Sequence, residues 1–148
     1  MHTFIYFHLV FYRKMRPEVW GPHAWMFLHS ITLEYPEKPT IEDKKNMIDF
    51  INSLGKVLPC HKCRNNFKTH LQKYPLDDNA LASRNNLVKW LIDIHNCVNG
   101  VKNCKKLSYE EALEKLLKTY NGERDNLWWL YLLIFIVFIL IVLFLFLL

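Results

Sequence analysis

Between about residues 22 and 120, apolar side chains recur every three to four positions in five separate stretches, and none alternates with a period of two over strand length. A chain patterned this way can bury one stripe per helix but has no half-buried strand to offer a sheet. From Pro22 to Glu34 the stripe is Trp25, Leu28, His29 and Thr32. It stops at Tyr35-Pro36, because the residue before a proline avoids the helical region. Thr40 with Asp43 resembles a capping box, and Ile41, Ile48, Ile51, Leu54 and Leu58 follow on one face up to Pro59. Pro59 suits a helix start, and Cys60, Cys63, Phe67 and Leu71 repeat until Tyr74-Pro75. Ser83 opens a fourth segment, with Leu87, Leu91, Ile94 and Val98 inward and Gly100 as its expected stop. Ser108 to Glu111 forms a second capping box before Ala112, Leu113, Leu116 and Leu117, ended by Asn121-Gly122. The expected fold class is all-α, a four-helix bundle plus a short fifth helix.

The apolar surplus of the 148 residues lies at the C-terminus, where Leu127 to Leu148 carry no charge. About 22 residues at about 1.5 Å each make about 33 Å, which matches a hydrocarbon core of about 30 Å. Trp128, Trp129 and Tyr131 at one edge and Lys115, Lys118 and Arg124 before it read as interfacial and cytosol-side flanks. The expectation is a single C-terminal transmembrane helix over 127–148, a tail anchor, joined by a linker at 123–126 to a cytosol-facing domain at 15–122. Phe4 to Tyr12 is too short to span, and Arg13-Lys14 follow it where a signal peptide would place them first, so residues 1–14 read as an arm. Four cysteines are too few for a disulfide miniprotein, and a net charge of +5 spread over the chain does not argue for nucleic acid.

Cys60-His61-Lys62-Cys63 is the strongest chemical signal. Cysteines at i and i+3 on a first helical turn can close a disulfide, and the helix N-terminus with Lys62 and Arg64 favours a thiolate. Thiol exchange is one reading. The other is half of a zinc site completed by Cys97 and Cys104 or by His95, although seven residues between those cysteines is not a knuckle spacing. A thioredoxin context fails because no strand precedes the pair. A dithiol near −270 mV sits largely reduced against a cytosolic poise of roughly −280 to −320 mV, so oxidative work there needs an electron sink. A flavin would serve, and with no GxGxxG its site must be built from helix side chains.

Trp20-Gly21-Pro22-His23-Ala24-Trp25-Met26-Phe27-Leu28-His29, then Tyr35-Pro36, Cys60-x-x-Cys63 and His95-Asn96-x-Val98-Asn99 closely resemble the Erv/ALR family of FAD-linked sulfhydryl oxidases in order and spacing. The resemblance runs from about Met15 to Tyr120 and looks most like the compact versions of large cytoplasmic DNA viruses. It implies a helical bundle that cups FAD beside the CxxC, a protein dithiol as substrate, O2 as acceptor with H2O2 as product, and a homodimer. It implies Gly21, Trp25, His29 and Tyr35 at the flavin from the first helix, and His95, Asn96 and Asn99 from the fourth. Lys102 and Lys105 (or Lys106) are the candidates for the cofactor phosphates. It also implies Cys63 as the flavin-proximal sulfur and Cys60 as the one attacked by substrate, with no metal. Trp25 and His29 are four apart, as are His95 and Asn99, so each pair shares a helix face.

The sequence departs from the family at Ile92, where many members carry the first cysteine of a structural disulfide. Cys97 and Cys104 are different cysteines. They read as a local staple, a second redox pair or free thiols. No cysteine pair occurs in either terminal arm to act as a shuttle, so a partner's dithiol would reach Cys60 directly. With the tail, the full expectation is a single-pass, tail-anchored thiol oxidase on a host membrane or virion of a large DNA virus. The rival is a membrane-tethered zinc-binding adaptor without turnover.

Overall fold

Three of the helix starts are set by side chains that cap them. The computed structural model describes residues 15–121 and 128–147, so the arm at 1–14 and the linker at 123–126 lie outside the described residues. Helix α1 spans Pro17–Leu33, α2 Ile41–Val57, α3 His61–Lys73, α4 Arg84–Val101, α5 Tyr109–Tyr120 and α6 Trp128–Leu147. Thr40 closes a complete capping box with Asp43 at the head of α2. Ser83 Oγ accepts from the Asn86 N–H at α4, and Ser108 and Glu111 exchange side-chain bonds at α5. Each such cap satisfies an N–H that the helix itself cannot, typically contributing about 1 kcal/mol. Among the described residues the secondary structure is all helical, as the sequence pattern predicts.

Helix α1 lies against α4, α2 against α3, and α3 against α4. The core forms where their stripes meet: Leu28 from α1, Met47 and Ile51 from α2, Phe67 from α3, and Leu87, Trp90, Leu91 and Ile94 from α4. Helix α4 is the central element, since Leu87 and Ile94 are fully buried and Leu91 and Ile92 nearly so. Side chains from the connections hold the corners. The Arg84 guanidinium donates from Nε to the Tyr35 carbonyl at 2.7 Å, and Trp90 Nε1 donates to the Tyr74 carbonyl at 3.1 Å.

Two helix ends differ from the sequence reading. Helix α1 begins five residues before Pro22, with Pro17 in its first turn and Pro22 inside it. Proline at a helix start loses nothing, and the turn before the interior Pro22 is continuous with Arg16, whose carbonyl accepts from the Val19 and Trp20 N–H groups. Helix α4 runs past Gly100 to Val101 and closes through Asn103, which takes φ 55°. The Cys104 N–H reaches the Asn99 carbonyl at 2.8 Å and the Asn103 N–H the Gly100 carbonyl at 3.2 Å, a Schellman closure with asparagine in the place glycine usually takes. Cys97 and Cys104 are both free, so neither the staple nor a second redox pair is formed. The stretch after α4 is held by other means: the Asn96 amide exchanges bonds with the Leu107 backbone at 2.9 and 3.0 Å, and the Tyr109 hydroxyl donates to the Asp93 carboxylate. Ile92, in the place of the family's structural cysteine, is a core residue.

The expected transmembrane anchor is corrected. Among the described residues no helix is long and apolar enough to cross a membrane. The single C-terminal transmembrane helix over 127–148, the membrane partner and the single-pass, tail-anchored localisation with its cytosol-facing orientation fall with that finding. The chain divides into two compact units between Ala112 and Leu113, inside α5.

Candidate functional site

Cys60 and Cys63 form a disulfide with Cα atoms 5.1 Å apart. The local cause is the helix start: Pro59 prevents α2 from continuing, Cys60 is the extended N-cap of α3, and Cys63 is three residues on, one turn above it. The Cys63 N–H donates to Cys60 Sγ at 3.2 Å. The Arg64 guanidinium donates back to the Leu58 carbonyl and fixes the approach from α2. Sulfur at this position receives the free N–H groups and the positive end of the helix dipole, which favours negative charge on it once the bond opens.

The disulfide borders a cavity of about 280 Å³. Its α1 wall is Pro17, Glu18, Trp20, Gly21, Ala24, Trp25 and Leu28, and Phe67 of α3 and Val98 of α4 also line it. The lining is mostly apolar, with Lys62 and Lys102 its cations and Glu18 its carboxylate. A Cβ added to Gly21 would meet nothing within 4 Å, so the space at this glycine is open. The Trp20 Nε1–H is buried and without a hydrogen-bond partner.

Behind this wall, aromatic rings join α1 to α4. Trp25 stacks on His95 with centroids 4.0 Å apart and planes 7° from parallel, and His29 Nε2 lies 3.1 Å from His95 Nδ1. His29 is 4% exposed and its Nδ1 has no partner. Burial lowers its pKa from 6.5 to about 4, so the ring is neutral at pH 7. The unfolded chain therefore takes up this proton first as the pH falls. Stability from His29 is whole above about 6.5 and drains away toward about 4, on the order of 3 kcal/mol in all. His70 shifts the same way through burial and then the nearby Lys73 charge. Urea midpoints measured from pH 7 to 4.5 should fall steeply, and His29→Asn should remove a large part of that slope; a variant with the parent's slope would refute the assignment.

The other residues named from the sequence are dispersed. Tyr35 is buried in the core and its hydroxyl donates to the Leu81 carbonyl at 3.3 Å; burial, then the Asp43 charge, raises its pKa. Both groups of the Asn96 amide are taken by Leu107. Asn99 is half-buried, and its carbonyl serves the Schellman closure. Lys105 pairs with Glu111 at 2.7 Å on the surface. Among the described residues no group of three or more His, Cys, Asp or Glu side chains is placed to hold a metal ion, and Cys97 and Cys104 are free thiols.

The sequence pattern of the Erv1/Alr family matches residues 22–120. This chain belongs to that family. It is 51% identical over 112 residues to a probable FAD-linked sulfhydryl oxidase of Acanthamoeba polyphaga mimivirus, covering 76% of this chain and 78% of the relative. It is 34% identical over 93 residues to the mitochondrial FAD-linked sulfhydryl oxidase of Saccharomyces cerevisiae, covering 60% of this chain but only 47% of that protein. Among solved structures, the yeast Erv1 core superposes with a TM-score of 0.59 at 30% identity, covering 67% of this chain and 84% of that one. The FAD-binding domain of yeast Erv1 gives 0.60 at 29%, covering 65% and 89%.

The residues present fit the flavin cofactor that the names of these relatives carry. The cavity offers aromatic walls for a planar ring system, an unpaired Trp20 N–H and two cations, and it touches the disulfide. Trp20, Leu54, Leu58, Asn66, Phe67 and Val101 also line it but were not singled out as site residues from the sequence. The missed signal is the earlier start of α1. With Pro17 as its first residue, Trp20, Gly21, Ala24, Trp25 and Leu28 become one helical stripe.

Proposed function

We propose that the chain is an FAD-dependent thiol oxidase that forms disulfides in a partner protein through Cys60 and Cys63. The observation that carries this is the disulfide lying on the wall of an aromatic, cation-bearing cavity. When bound there, FAD accepts the electron pair of the reduced cysteines and delivers it to O2, giving H2O2. A substrate thiolate attacks Cys60 Sγ, the Cys60–Cys63 bond breaks, and Cys63 leaves as a thiolate on the cavity wall. A second substrate thiolate attacks the mixed disulfide and Cys60 leaves in turn. The Cys63 N–H on Cys60 Sγ assists that departure, since it is already aimed at the sulfur that gains charge.

In this reading Gly21 opens space for the cofactor and Trp25 forms its wall, with His95 stacked behind Trp25 and His29 bonded to His95. Lys102 is the phosphate partner, because it is on the cavity while Lys105 is engaged by Glu111. Tyr35 and Asn96 act by holding the turn after α1 and the stretch after α4, and Asn99 by closing α4 beneath Lys102. The chain pairs with a second copy through α1, where Val19 and Phe27 are exposed eight residues apart, with exposed Met15 just before the helix.

The test is the purified full chain. It should be yellow with bound FAD, consume O2 when given a dithiol, release one H2O2 per disulfide, and scatter light as a dimer that Val19→Glu with Phe27→Glu converts to monomer. A colourless chain that gives no oxygen uptake after incubation with FAD would end the oxidase reading; a monomeric native chain would end the pairing.

A further inference from the structure

The net charge of +5 is concentrated at one place. Residues 50–76 contain no Asp or Glu and carry Lys56, Lys62, Arg64, Lys68 and Lys73, so that the remaining Lys/Arg and Asp/Glu balance at 14 each. The Cys60–Cys63 disulfide lies in the middle of that stretch. Helix α3, which begins at the disulfide, has no carboxylate along its whole length. Its buried side holds Phe67 and His70, which turns Lys68 outward beside His61, with Lys62 and Lys73 flanking. All four lysines are exposed, and among the described residues none of them is in an ion pair. Lys62, Arg64 and Lys68 fall within about 9 Å of Cys63 along the axis, close to the screening length of about 8 Å at physiological salt. They act on an arriving charge as a group.

We propose that this face selects the substrate: the dithiol oxidised at Cys60–Cys63 is borne on an acidic segment of its protein. The proposal rests on the oxidase reading above. Acidic neighbours raise the pKa of a thiol and make it slow to ionise in free solution, whereas the cations around Cys60 reverse that bias on contact and stabilise the attacking thiolate. They also raise the local concentration of an acidic segment before any contact forms. The chemistry balances without a further reagent. Two substrate thiols give two protons to water, their sulfurs attack Cys60 and then the mixed disulfide, and the electron pair lost by the substrate is held by Cys60 and Cys63 as thiolates.

Three synthetic peptides with the same two cysteines, flanked by glutamate, glutamine or lysine, decide the matter when given to the full FAD-loaded chain alongside dithiothreitol. At 20 mM salt kcat/KM for the glutamate peptide should exceed that for the lysine peptide by about tenfold or more, narrowing to about twofold at 0.5 M salt. Lys68→Glu with Lys73→Glu should collapse the ratio. A glutamate peptide with serine for both cysteines should bind at low salt and release at 0.5 M in fluorescence anisotropy. If dithiothreitol is oxidised but the peptides react alike, or the lysine peptide reacts faster, the selection is overturned and the oxidase reading stands. If the loaded chain does not oxidise dithiothreitol, the oxidase reading fails and this proposal with it.

Discussion

Replacing Cys63 with serine should lower dithiol-driven oxygen consumption by about a thousandfold or more while leaving FAD bound. The size of the loss follows from the number of sulfurs the chain offers. Cys63 is half of the disulfide on the cavity wall, and the other two cysteines are free thiols, Cys97 half-buried on α4 and Cys104 beyond the Asn103 turn. Neither is among the residues lining the cavity. Serine keeps the shape of the side chain and the helix start but cannot carry an electron pair to a neighbouring acceptor. Cys60→Ser should cost as much with a protein dithiol, because both sulfurs act as one unit. Oxygen uptake and the flavin absorbance read on the same sample separate lost chemistry from lost cofactor. A Cys63→Ser chain that keeps both its colour and its rate would remove Cys63 from the mechanism.

Ile94→Ala should destabilise the fold by about 2–5 kcal/mol, a large part of the 5–15 kcal/mol that holds an ordinary domain together. Ile94 is 0% exposed in the central helix and belongs to the cluster shared by α1, α2, α3 and α4. Truncation leaves a cavity where four elements meet and cannot all relax inward. Its neighbour His95 carries the stack with Trp25 and the bond to His29, so the looser core should also weaken flavin retention. Melting followed by circular dichroism should show a loss on the order of 10–20 °C, with Ile94→Val losing only a few degrees. A melting point within about 3 °C of the parent at matched cofactor content would mean that α4 does not organise the core.

The helices and their caps were legible because capping and periodicity are local. Thr40 with Asp43, Ser83 with Asn86 and Ser108 with Glu111 each act over three residues, and each cap forms where the sequence places it. The end of α4 was not legible. Glycine is the usual residue for a left-handed closure, yet Gly100 stays helical and Asn103 takes φ 55°, because the closing bonds depend on where the following strand of chain is tied by Asn96 and Asp93. The C-terminal run shows the opposite failure, a length-and-charge argument that the described helix does not meet.

At the site the sequence determined the ingredients. A CxxC after a proline at a helix start forms a disulfide through neighbours in the chain alone, and paired residues four apart must share a face. Which of those faces meet was decided only by tertiary packing. The approach of α1 to α4 stacks Trp25 on His95, brings His29 against the same ring from residues 66 positions away, and leaves Tyr35 and Asn96 to bond to backbone elsewhere. Such contacts depend on how stripes interlock across the core. No spacing within one helix encodes the distance to a side chain on another.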